Sequence, residues 1–72
     1  MKRFIYYPGP SHRCLLGDYE LHCGDCFRLK VGAAWHDVRI ELSRDWYLIG
    51  LPPGEANMAR CYDGFTAEDY SR

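Results

Sequence analysis

The 72-residue sequence has no apolar run near the length that a membrane-spanning helix requires. It lacks an excess of one charge: nine Lys+Arg stand against ten Asp+Glu, a formal net charge of −1. That balance supplies no whole-molecule attraction to nucleic acid or to an anionic membrane, so neither is an expected partner. There is no glycine-rich phosphate loop, no nucleophile elbow and no second Cys-x-x-Cys pair. Repeats, linkers and low-complexity segments are missing too, and no stretch sustains a helical period between its turn signals. These absences point to one small domain over residues 1–72, not helical and not an enzyme.

The chain opens Met1-Lys2-Arg3, like the charged start of a secretory signal. Phe4–Tyr7 then meets Pro8-Gly9-Pro10 too soon to form the apolar region a signal needs. The expectation is a cytoplasmic chain with reduced thiols, whose four cysteines are not two disulfides. A domain this short has a marginal core, so a disulfide, a metal or a partner subunit is a natural supplement.

What the sequence does contain is strand pattern. Lys2–Tyr7 is aromatic-rich and stops at the Pro-Gly-Pro breaker. Cys14–Leu16 and Tyr19–His22 read as a second strand bent near Gly17. Cys26–Val31 puts Phe27, Leu29 and Val31 on one face and Arg28 and Lys30 on the other. Trp35–Leu42 alternates likewise, with Val38, Ile40 and Leu42 opposite Asp37, Arg39 and Glu41. Trp46–Leu51 is a further strand, ended by Pro52-Pro53-Gly54, and Met58–Tyr62 is a candidate last one. Thr66-Ala67-Glu68-Asp69 carries a capping-box pattern for one helical turn. The expected fold is all-β: a small antiparallel SH3-like barrel of five or six strands, or a strongly bent sheet, with a short C-terminal helical turn or tail.

Trp46–Leu51 is apolar on both faces. If Leu42 pairs with Trp46, then Trp46 and Leu48 enter the core and Tyr47, Ile49 and Leu51 point outward; a loop one residue longer reverses this. Either way a large apolar row faces away from the first core. Two coverings are open: the tail, through Phe65 and Tyr70, or a second copy of the chain. A homo-oligomer, most simply a two-fold dimer, is expected.

The stretch Leu21–Cys26, LHCGDC, invites a metal or redox reading. Zinc needs four ligands, usually two pairs, and Cys14 and Cys61 are solitary while His12, His22 and His36 are scattered. A redox pair draws its reactivity from a helix N-terminus, but a strand pattern follows here. The reading of Gly24-Asp25 is therefore a hairpin tip with cysteine flanks, with no metal and no cofactor. The better candidates for binding are Trp35, Arg39 and Glu41 on one strand and Trp46 and Tyr47 on the next, because Arg and Trp together grip anions and stack on planar groups. A solvated face with weak cross-strand ion pairs is the plainer alternative.

The segments LHCGDCFRL, W-x(3)-RIE and DWYLIGL, within Tyr19–Leu51, resemble domain-of-unknown-function family 5348, small proteins of Gram-positive bacteria, their phages and mobile elements. The resemblance implies no established activity, and it weights the turn glycine and acidic residue above the cysteines. The ends of the chain depart from the pattern. Three functions follow as expectations. The first is a non-catalytic binding protein of a phage or mobile element, acting through a protein partner or an oligomer surface. The second is an anti-defence protein that sequesters a nucleotide signalling molecule, with Arg39 on phosphate and Trp35, Trp46 or Tyr47 stacked on the base. The third is an inhibitor of a host nuclease complex, such as an anti-CRISPR, by direct contact.

Overall fold

Residue alternation becomes strand pairing over most of the described residues. The computed structural model describes residues 1–10, 12–52 and 57–69. The strands are β1 (Lys2–Tyr7), β2 (Arg13–Leu16), β3 (Tyr19–Glu20), β4 (Cys26–Val31), β5 (Ala34–Leu42), β6 (Trp46–Ile49) and β7 (Thr66–Glu68), with a 3-10 turn at Ala59–Tyr62. They form one antiparallel sheet in the order β3-β2-β1-β7-β4-β5-β6. The fold is thus the bent all-β sheet, curled into a half-barrel, with seven strands instead of five or six.

The curl encloses one core. Phe4, Cys14, Leu16, Phe27, Leu29, Val38, Ile40, Trp46 and Leu48 all point into it. The Phe4 and Phe27 rings stack at 5.6 Å between centroids and join the two halves of the sheet. Offset stacking of this kind adds to the area each ring removes from water.

The C-terminal segment is where local pattern and structure part. Thr66–Glu68 is a strand, not a helical turn: Ala67 pairs with Lys2 on one side and with Leu29 on the other. Its backbone bridges two partly formed wings, and that tertiary pairing outweighs a local capping pattern. The helical turn lies earlier, at Ala59–Tyr62, where a last strand was expected. The Cys61 N–H donates to the Met58 carbonyl, and Ala59 is fully buried in the core. Met58 keeps a single bridge to Tyr47.

LHCGDC is not a hairpin tip. β3 pairs with β2, while β4 pairs with β5 and β7, so the segment crosses between strands that are not neighbours. The Asp25 N–H donates to the His22 carbonyl, and Gly24 at φ +89° takes the third position of that turn. Gly24 donates to the Ile40 carbonyl and Ile40 donates to Asp25, which sets two residues against one in a glycine bulge. The glycine and the aspartate are needed, but for a bulged crossover.

β6 settles the register. Leu42 pairs with Trp46, so Trp46 and Leu48 are buried and Tyr47 and Ile49 face outward. Leu51 departs from the alternation and is buried at 8% exposure. Gly50 is the cause: at φ +114° it turns the chain, and a Cβ there would lie 2.3 Å from the Asp37 carbonyl oxygen. Phe65 does not cover the outward row. Its carbonyl accepts from the Phe4 N–H, and its ring meets Tyr62 edge-on beside the core. Ser11, Pro53, Gly54 and Tyr70 lie outside the described residues.

Candidate functional site

The outer face of β4, β5 and β6 gathers four of the five candidate residues. Lys30 pairs with Trp35, Arg28 with Asp37, Arg39 with Ile49 and Glu41 with Tyr47. Because each pair shares a face, these side chains form a continuous patch on one surface of the sheet. Arg28 and Lys30 lie over the Trp35 ring at 5.8 and 5.9 Å from its centroid. Arg28 also meets Glu68 at 3.2 Å and Asp37 at 3.9 Å. Arg39 Nε lies 2.9 Å from Glu41 Oε2. Ile49, 40% exposed, sits among these charges as an aliphatic side chain near the sheet margin.

Trp46 does not join them. It is buried on the opposite face, and its indole N–H donates to the His12 carbonyl at 2.9 Å. Arg39 and Trp35, four residues apart on one strand, are separated by about 13 Å along it. The arginine and either tryptophan therefore do not close on one small planar ligand.

A second cluster, missed in the sequence, centres on Asp45. The Tyr6 hydroxyl donates to its carboxylate at 2.8 Å, His12 Nε2 lies 2.8 Å away, and the Trp46 N–H donates to it at 2.8 Å. Arg60 adds a cation at 3.6 Å. His12 adopts a left-handed φ of +45°, unusual for a side-chain-bearing residue, and these contacts hold it there. The His12 hydrogen bond, aided by Tyr6 and the Trp46 N–H against the effect of burial, holds the Asp45 carboxyl below its usual range. The Tyr6 hydroxyl's own hydrogen bond to Asp45, with burial, raises Tyr6. Tyr6 and His12 lie 39 and 33 positions from Asp45 in the chain, so no local spacing announces the cluster. Its one local contact is Asp45 accepting from the N–H of the next residue.

Chemically this cluster is saturated. Both Asp45 oxygens carry partners, and the side chain is 17% exposed. Cys14, nearby in the core, is a poor nucleophile because burial pushes its thiol up to about 12. The cluster ties β1, the His12 segment and β6 together. Cys23, Cys26 and Cys61 are exposed while Cys14 is buried, and among the described residues no three His, Cys, Asp or Glu side chains converge to hold a metal ion.

A third feature is a concavity of about 530 Å³ lined by Lys2, Leu16, Tyr19, Leu21, Gly24, Asp25, Cys26 and Asp69. None of the five sequence candidates reaches it.

Fold and surface define a small curled all-β domain with an aromatic and charged sheet face. The chain belongs to the family described as Domain of unknown function (DUF5348), whose sequence model matches residues 5–67. That match runs beyond Tyr19–Leu51 toward both ends, reaching Ala67 in β7, where the sequence alone showed departure. The chain is also similar to a protein of known crystal structure from Ruminococcus gnavus, at 31% identity and a TM-score of 0.68, over 94% of this chain and 99% of that one. No curated protein matches the chain. Among the described residues no helix is long and apolar enough to cross a membrane.

Proposed function

We propose that this chain is a non-catalytic binding protein that works through the outer face of β4, β5 and β6, and that a second copy of the chain covers that face. The observation that carries this reading is Ile49, an aliphatic side chain 40% exposed beside Tyr47 and flanked by charges of both signs. Removing apolar area from water yields about 25 cal/mol per Å2, so covering Ile49, Tyr47 and Trp35 stabilises an assembly by several kcal/mol. Arg28, Lys30 and Arg39 share that surface with Asp37, Glu41 and Glu68, so a second copy would meet charges of both signs there.

The saturation of Asp45 and the protonated, buried Cys14 support the non-catalytic part of the reading. The nucleotide trap has less support, because Arg39 is paired with Glu41 and Trp46 lies on the other side of the sheet. Action in the cytoplasm for a phage or mobile element, against a host defence or nuclease complex, is an extension suggested by the family likeness. It would use the same face toward a host protein.

Native mass spectrometry of the purified chain tests the reading. The expected species has twice the 8.4 kDa chain mass and no bound nucleotide. A single-chain mass at micromolar concentration overturns the self-association.

A further inference from the structure

The concavity bounded by the start of β1, the β2–β3 turn and the bulged crossover is built unlike the sheet face. Its floor is Leu16 and Leu21, both buried core residues, and Tyr19 forms a wall. Its volume of about 530 Å³ lies in the range of small-molecule sites, which commonly occupy the mouths of β-barrels. Among the described residues three charged side chains line it: Lys2, Asp69 and Asp25. Lys2 and Asp69 form an ion pair with each other. Of these three, Asp25 remains outside that pair.

Asp25 is held in place. Its Oδ2 accepts from the His22 N–H at 2.8 Å and from the Tyr19 hydroxyl at 3.2 Å, and His22 Nδ1 is 3.7 Å from that oxygen. Both hydrogen bonds come from neutral donors, and the carboxylate sits beside an apolar floor and an aromatic wall. We infer that this concavity is a binding site for a small organic cation, a primary ammonium on an apolar or aromatic body. The ammonium group meets Asp25 and the body lies over Leu16 and Leu21. The site adjoins the β4–β6 face at Cys26, the ladder partner of Arg39, but uses none of that face's charged residues.

The test is a titration of the 15N-labelled protein with phenethylammonium, followed by amide shifts at pH 8, above the ordinary histidine range and below that of alkylamines. Saturable shifts are expected at Lys2, Tyr19, Gly24, Asp25, Cys26 and Asp69, with the amides of Trp35–Asp37 unmoved. Hydrocinnamate, a carboxylate with a similar body, is expected to leave all of them unmoved. Asp25→Asn keeps an acceptor for the His22 N–H and is expected to weaken binding about tenfold or more. Absence of saturable shifts at millimolar phenethylammonium overturns the site. Equal binding of the two probes overturns the role of Asp25, and that comparison uses the wild-type chain alone.

Discussion

The two faces of β5 and β6 are made from alternate residues of the same strands, yet their fates differ. Val38, Ile40, Trp46 and Leu48 go inward and are almost completely buried. Arg39, Glu41, Tyr47 and Ile49 go outward, where charges meet across strands and Ile49 keeps much of its area in contact with water. The inner face is committed to folding. The outer face is not consumed by any described contact of comparable size, which is why it is the surface assigned to binding. The comparison shows how strictly a period of two separates these roles, and how one glycine ends it: beyond Gly50 the next apolar residue, Leu51, returns to the core.

The largest expected effect lies on the inner face. Phe27→Ala removes a fully buried ring stacked on Phe4 and is expected to cost about 3–5 kcal/mol, a large share of a small domain's stability. Thermal unfolding followed by circular dichroism reads this; a shift of only a degree or two would contradict the packing described. Gly50→Ala comes next. It forces a side chain into a positive-φ position and against the Asp37 carbonyl, costing about 1–3 kcal/mol from the backbone alone. Urea denaturation is the check, and an unchanged midpoint would mean that β6 ends in some other way.

Asp45→Asn is smaller at neutral pH, about 1–2 kcal/mol, and has a pH signature. The folded chain lowers the Asp45 pKa, first through His12 and then through Tyr6 and the Trp46 N–H, so folding favours the carboxylate. That stabilisation is complete above the ordinary aspartate pKa of about 3.9 and is lost as the pH falls through the lowered folded value. Between pH 5 and pH 2 the wild-type chain should therefore lose more stability than the Asn variant. Equal losses would remove Asp45 from its place in the fold.

The extent of the fold legible in the sequence follows from the range of the forces. β1, β4 and β5 were visible because alternation and turn residues act within a few positions, and the Arg28–Lys30–Trp35–Arg39 face followed from the same count. β7 was not, because three residues acquire strand structure only from the two strands they join. The LHCGDC turn was recognised as glycine-dependent, but the partner of Gly24 is Ile40, sixteen positions on, and nothing local names it. Trp46 looked equally suited to core and to binding until the pairing of Leu42 placed it inside. Asp45, Tyr6 and His12 meet only after the sheet curls.

The smallest effect on stability and the largest on association belong to the outer face. Ile49→Asp should change folding stability by no more than about 1 kcal/mol, since the side chain is already partly wet. Sedimentation velocity of this variant beside the wild-type chain and Ile5→Asp, a charge placed on the outer face of β1, tests the central claim most directly. The account predicts a dimer for the wild type and for Ile5→Asp, and a monomer for Ile49→Asp. A wild-type monomer, or a dimer that survives Ile49→Asp but not Ile5→Asp, would contradict it.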